Sequence, residues 1–272
     1  MEFKINDISI NYEEIGTGKP IIMLHGFLLN HRVMTGCMEP ILENQDGYRR
    51  IYIDLPGMGK SESADWIENA DVMLDILIHF INTIIPHENF LLAGESYGGY
   101  LARGIIYRMA NRIDGLLLLC PVIIAAMQQR TVPEHVCLVE DKGLLQKLPV
   151  EGAESFASLS VVQSKSIYKR YEKEILSGAR LADAEFLERY RANGYAFSFN
   201  VDTLSEKFKK PMLFLMGKQD SVVGYKDAWN ILENYPRASF VVLDKAGHNL
   251  QIEQEEVYQS LVYEWIQRTE VT

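Results

Sequence analysis

The segment Gly94-Glu95-Ser96-Tyr97-Gly98-Gly99 contains a G-x-S-x-G pattern, which places a nucleophilic serine on a tight turn between a strand and a helix. A serine hydroxyl at neutral pH needs a base to take its proton, and the base needs an acid to hold its tautomer. Six histidines are available: His25, His31, His79, His87, His135 and His248. His79 falls inside a helical pattern and His87 just beyond it, where a histidine serves structure. His248 follows a strand-like run, in Asp244-Lys245-Ala246-Gly247-His248-Asn249. The C-terminal ends of strands are where parallel sheets build active sites. Asp220, in Met216-Gly217-Lys218-Gln219-Asp220, has the same placement one strand upstream. Asp227 reads as a helix residue and Asp244 lies only four positions from the histidine, so both read as solvated. The run over residues 113–123 ends in Cys120-Pro121-Val122 and offers no acid. Ser96, Asp220 and His248 are therefore the candidate catalytic residues, and acyl transfer is their chemistry. The developing oxyanion would need N–H donors. The Tyr97 amide, next to the nucleophile, is one, and the Phe27 amide, after His25-Gly26, is the other. His25 itself reads as a structural hydrogen-bonding residue.

Positioning these residues requires strands that end together. Residues 20–25, 50–54, 89–93, 113–123, 211–216 and 238–243 are apolar runs of strand length, and helical patterns separate them over 33–42, 65–85, 97–110, 226–234 and 251–268. In the second of these, Val72, Ile76, Phe80 and Ile84 form the expected apolar stripe. Such alternation predicts an α/β protein with a mostly parallel sheet covered on both faces. Residues 3–10 and 11–15 alternate apolar and polar side chains and predict an antiparallel hairpin at one sheet edge. Between residues 124 and 208 the rhythm breaks. Helical patterns over 134–148, 164–176 and 183–193 predict an inserted helical cap. The expected division is a core of residues 1–123 and 209–272 with a cap of residues 124–208.

The chain has 272 residues, about 1.8 domains at roughly 150 residues per domain. Its formal charge of −10 argues against nucleic acid and anionic membrane surfaces as partners. Cys37, Cys120 and Cys137 form no C-x-x-C pair, so neither a disulfide framework nor a cysteine zinc site is expected. The N-terminal residues show no signal-peptide core and the apolar run over 116–126 is too short to span a bilayer, so a cytoplasmic protein is expected. Gly59-Lys60-Ser61 imitates the end of a phosphate loop, but Asp54 stands where that motif needs glycine, and Pro56 stiffens the turn. No metal, nucleotide or other cofactor is expected. No sequence feature fixes an oligomeric state.

With these motifs in place the chain resembles the α/β-hydrolase superfamily over nearly its whole length. The resemblance rests on His25-Gly26-Phe27, Asp54-Leu55-Pro56-Gly57-Met58-Gly59-Lys60-Ser61, the turn around Ser96, Gly217 to Asp220, and Gly247-His248. It implies an α/β-hydrolase fold with a helical cap after the sixth strand. Relatives usually carry histidine at the Met58 position, where it is structural. Haloalkane dehalogenases and epoxide hydrolases place aspartate at the turn where this chain has Ser96. Prolyl aminopeptidases usually read D-Q-R-G at Asp54 to Gly57, and ring-cleavage C–C hydrolases tend to have tryptophan at Asn249. The menaquinone-pathway lyase has similar H-G-F, D-L-P-G and G-H-N segments, with an arginine at the position of Tyr100. The expected function is a cofactor-independent serine hydrolase that cleaves a small carboxylic ester or related acyl substrate through an acyl-enzyme. C–C bond hydrolysis or a lyase reaction with the same triad is one alternative, and a non-catalytic small-ligand-binding protein is another. The basic stretch over residues 165–171 reads as a solvated helix face, with carboxylate binding as its functional alternative.

Overall fold

The computed structural model describes residues 1–43 and 45–270. In it the apolar runs assemble into an eight-stranded sheet. The strands are β1 (Glu2–Ile5), β2 (Ile8–Ile15), β3 (Lys19–Leu24), β4 (Tyr48–Ile53), β5 (Phe90–Glu95), β6 (Ile113–Leu119), β9 (Met212–Gly217) and β10 (Ala238–Leu243). The short β7 (Val139–Glu140) and β8 (Val162–Gln163) pair separately. Strand order is β1-β2-β4-β3-β5-β6-β9-β10. β1 and β2 are antiparallel, as are β2 and β4, and the remaining neighbours are parallel. Every side chain of β5 and β9 is buried, as central strands covered on both faces require.

The helices are α1 (Arg32–Leu42), α2 (Ala70–Ile84), α3 (Tyr97–Met109), α4 (Val150–Leu159), α5 (Lys165–Tyr171), α6 (Ser177–Ala179), α7 (Ala184–Asn193), α8 (Lys226–Trp229), α9 (Leu250–Glu253) and α10 (Glu255–Glu270). α2 starts five residues later than the periodicity suggests, because the Asn69 side chain accepts from the Val72 N–H and caps the helix there. Its buried face runs through Met73, Ile76, Leu77, Phe80 and Ile81, while Val72 and Ile84 are only half-buried. The edge hairpin turns at Asn6-Asp7 rather than at residues 10–11. Ile8, Ile10 and Tyr12 all bury the same face, so β2 runs unbroken through them. Asn6 takes the turn's positive φ of 49°, which asparagine tolerates better than most residues.

Residues 124–208 depart most from expectation. The helix expected over 134–148 is absent. Pro133 opens that stretch and Gly143 interrupts it at φ 73°. The chain instead forms the β7 ladder and a 3-10 turn at Leu145–Lys147. A helix not anticipated, α4, begins immediately after Pro149, whose carbonyl accepts from Gly152 N and Ala153 N. α5 is capped by the Ser164 hydroxyl, which accepts from the Ile167 N–H. It runs on as a π-helical turn over Glu172–Leu176, where Glu174, Ile175 and Leu176 are buried.

Candidate active site

Because β3, β5, β9 and β10 run parallel, the loops after them emerge at one edge of the sheet, and the residues singled out above lie on those loops. Ser96 follows β5 and is held at φ 51°, ψ −114°, a sparsely populated conformation that costs roughly 1–3 kcal/mol. Its N–H donates to Leu119 O (2.9 Å), and its carbonyl accepts from Val122 N (2.9 Å) and Gly99 N (3.0 Å), so the turn is fixed from both sides. Two glycines make room for it. A Cβ on Gly94 would stand 2.5 Å from Gly98 O, and one on Gly98 would stand 2.3 Å from Leu24 O.

The Ser96 Oγ lies 3.0 Å from His248 Nε2, and His248 Nδ1 lies 2.9 Å from Asp220 Oδ2. Asp220 is wholly buried, and its other oxygen accepts from Val222 N (2.8 Å) and Val223 N (3.0 Å). Those two amides aim the carboxylate at the imidazole. Nδ1–H donates to Asp220, which leaves Nε2 to accept from the serine hydroxyl. Burial works against the charged form of His248, but the charge and hydrogen bond of Asp220, with a contribution from Glu95, raise its pKa above the ordinary histidine value. The Phe27 and Tyr97 N–H groups flank the same turn, and neither donates to an acceptor among the described residues.

The other histidines and acids have different tasks. His25 is buried, with Nδ1 on Gly26 O (2.7 Å) and Nε2 accepting from Leu55 N (3.0 Å), and burial lowers its pKa to about 4. It pins the loops after β3 and β4. Asp54 accepts from Asn11 Nδ2, His31 N and Lys60 N; the lysine amide that imitates a phosphate loop thus serves a carboxylate within the chain. Asp244 is exposed and bonds Gln219. Asp227 is not solvated, contrary to expectation: it is buried and accepts from Thr131 N (2.8 Å). Of the basic stretch in α5, Arg170 pairs with Glu174 and Glu255, and only Tyr171 of those residues lines the central cavity.

That cavity, of about 750 Å³, is bounded by Ser96 and His248 below and by Leu159, Tyr171, Ile175 and Ala192 from residues 124–208. An aromatic cluster joins its two sides. The Tyr97 and Tyr190 hydroxyls are 2.6 Å apart, Phe27 meets Tyr97 edge-on, and the Tyr97 and Tyr195 ring centroids are 4.3 Å apart.

Two acids that the sequence reading passed over belong here. Glu95, the residue before the serine, is 2% exposed; its Oε1 lies 3.8 Å from His248 Nε2 and its Oε2 has no hydrogen-bond partner among the described residues. Burial raises its pKa to about 7, against the pull of His248 and the Gly26 N–H. A charged residue ending an otherwise apolar strand was the available signal. Glu253 accepts from Val161 N and Gly247 N, both at 2.6 Å, and so ties the loop carrying His248 to the segment before β8. Nothing local in the sequence marks that role.

Cys120, Asp220 and His248 bring three possible ligand atoms within 4.8 Å of one another. Asp220 and His248 are hydrogen-bonded to each other, and burial, with the Asp220 charge, pushes the Cys120 thiol well above its usual range. A protonated thiol donating to Gly247 O suits the wall of a hydrogen-bonded relay better than a metal centre. No helix among the described residues is long and apolar enough to cross a membrane.

Residues 19–255 match the alpha/beta hydrolase fold family. The crystal structure of an alpha/beta superfamily hydrolase from Oenococcus oeni PSU-1 is similar at 32% identity and TM-score 0.88, covering 99% of each chain. A pimeloyl-[acyl-carrier protein] methyl ester esterase of Shewanella oneidensis is 25% identical over 268 residues, 94% of each chain. A 2-hydroxy-6-oxononadienedioate/2-hydroxy-6-oxononatrienedioate hydrolase of Burkholderia vietnamiensis is 25% identical, covering 96% of this chain and 92% of its own. The strand order, the strained serine turn and these likenesses agree: the chain belongs to the alpha/beta hydrolase family.

Proposed function

We propose that the protein is a serine hydrolase that cleaves a small carboxylic ester or related acyl substrate, with residues 124–208 serving as the cap over its cavity. The observation that carries this reading is the continuous Ser96–His248–Asp220 hydrogen-bond chain at the floor of that cavity. Ser96 Oγ attacks the substrate carbonyl while its proton passes to His248 Nε2. The imidazolium so formed is stabilised by Asp220. The Phe27 and Tyr97 N–H groups bind the oxyanion. The C–O bond to the leaving group breaks as His248 returns the proton to the alcohol. Water then attacks the acyl-enzyme, gives a proton to His248, and releases the acid and the free Ser96 hydroxyl. A fluorophosphonate probe should label Ser96 of the folded protein, and Ser96→Ala should abolish both labelling and ester turnover. A folded protein that neither takes the probe nor hydrolyses aryl esters would sink the proposal.

C–C bond hydrolysis by the same residues is the second reading, favoured by the similarity to the Burkholderia vietnamiensis hydrolase. An esterase prefers aryl esters over a dicarbonyl ring-cleavage product, and the reverse preference would select the second reading. Against a lyase of the menaquinone pathway, Tyr100 uses its hydroxyl to accept from Phe197 N (3.0 Å), a structural role.

Glu95 gives this reading a pH signature. Its carboxylate faces His248, with Asp220 behind the imidazole, so ionised Glu95 favours the imidazolium and holds the base's titration at higher pH. His248 must be neutral to accept the serine proton. The acid limb of kcat/KM is therefore expected to fall at lower pH in Glu95→Gln than in wild type, and to sharpen to a single ionisation because the coupled partner is gone. A superimposable profile would deny Glu95 any electrostatic part.

A further inference from the structure

Two arginines line the cavity above Ser96, Arg130 and Arg191, and among the described residues neither has a carboxylate within 4.0 Å. This is unusual in a chain with ten more acids than bases, where most other arginines are ion-paired. Arg130 is also held rigidly. Its Nε donates to Ile124 O (2.8 Å), one terminal nitrogen to Val222 O (3.1 Å) and the other to Ala125 O (3.1 Å). A guanidinium has five N–H donors and keeps its charge at any physiological pH. Three backbone carbonyls satisfy donors without neutralising that charge. The Tyr195 hydroxyl sits beside the same guanidinium, and the charge is felt at His248. Arg191 lies with its guanidinium 4.5 Å from the centre of the Phe27 ring, over the oxyanion loop. Among the described residues the one carboxyl lining the cavity is Glu95, whose pKa burial raises to about 7. The remaining walls include Val122, Ala125, Leu159, Ile175, Leu176 and Val222, which suit an alkyl chain.

A largely apolar cavity that holds a preorganised cation with no paired carboxylate in the same space as Ser96 is complementary to an amphiphilic anion. We propose that the substrate carries a free carboxylate on its acyl chain, bound by Arg130 with Arg191 in support, so that the enzyme acts on half-esters of dicarboxylic acids or their close analogues. This rests on the serine hydrolase reading and adds its substrate class. The anion-binding side chains are thus not those of the basic stretch in α5, whose Arg170 is neutralised by its own acids.

The test separates binding from turnover. Calorimetry with the Ser96→Ala protein would compare monomethyl adipate with dimethyl adipate, and kcat/KM on the same pair would be measured with wild type. The half-ester is expected to bind at least about tenfold more tightly and to be cleaved with a kcat/KM higher by a similar factor. Arg130→Gln should bring the ratio of the two esters close to one. Arg191→Gln should lower the ratio less, and Arg130→Lys should keep part of it. The ratio is the readout because Arg130 also stitches two loops, and a loosened loop would lower both rates together. Equal or weaker binding of the half-ester, no binding of either ester, or a ratio undiminished in both Gln variants would overturn the proposal. Failure of the fluorophosphonate to label Ser96 would instead overturn the underlying hydrolase reading.

Discussion

Asp220→Asn is expected to lower kcat on any ester by roughly 10⁴-fold while leaving the fold intact, an effect of the size known for this exchange in an unrelated Ser-His-Asp enzyme. The reason lies in which atoms can donate. One Asp220 oxygen is committed to the Val222 and Val223 amides and the other to His248 Nδ1. In the asparagine variant the amide oxygen stays on the two backbone donors, because only it can accept. The NH₂ then faces the imidazole and requires an acceptor there. His248 must switch to the tautomer with its proton on Nε2, where it can no longer take the proton of Ser96. Fluorophosphonate labelling should slow by a comparable factor, and the circular dichroism spectrum and thermal midpoint should change little. A variant within tenfold of wild type would show that His248 does not depend on Asp220, and the assignment of these roles would fall.

The reach and the limit of the sequence follow from what local pattern encodes. β5 and β9 were legible because six consecutive buried positions leave an apolar run that no surface element shows. Ser96, Asp220 and His248 were legible as neighbours because parallel strands deliver their C-terminal ends to one edge. Their mutual distances then follow from strand order, which the sequence does not state. Arg130 was invisible for the opposite reason. It lies outside any regular element, and its partners include Val222, ninety-two residues away. Glu253 is similar, since its amide donors come from Val161 and Gly247, on two different loops. The helix wrongly expected over residues 134–148 shows where composition misleads. Charged, Leu-containing sequence has helical periodicity, but Gly143 at positive φ breaks it, and pairing of Val139 with Val162 supplies an alternative.

Removal of Asp202 should destabilise the protein strongly, because of what it leaves behind. Arg103 on α3 is completely buried. One of its nitrogens donates to Val122 O (3.0 Å) and Ile123 O (3.2 Å), and its Nε donates to Asp202 (3.1 Å). The carbonyls accept hydrogen bonds but carry no net charge, so among the described residues Asp202 alone compensates the guanidinium, aided by the Tyr100 ring at 5.6 Å. Breaking a buried pair from one side typically costs 3–5 kcal/mol. Asp202 is a quarter exposed, so water recovers some of that, and about 3 kcal/mol is expected for Asp202→Ala. At roughly 2–4 °C per kcal/mol for a chain of this size, Tm should fall by about 6–12 °C. The position matters as much as the magnitude. Val122 and Ile123 lie just before residue 124 and Asp202 lies six residues before residue 208, so one buried side chain holds both ends of the segment over the cavity to α3, which starts after Ser96. Val122 N also donates to Ser96 O. Loss of the pair should therefore slow ester turnover below the melting range, and a double variant, Arg103→Met with Asp202→Leu, should regain part of the stability because no buried charge remains. A shift in Tm of less than about 2 °C for Asp202→Ala would mean that solvent already screens Arg103, and that this pair does not anchor the segment.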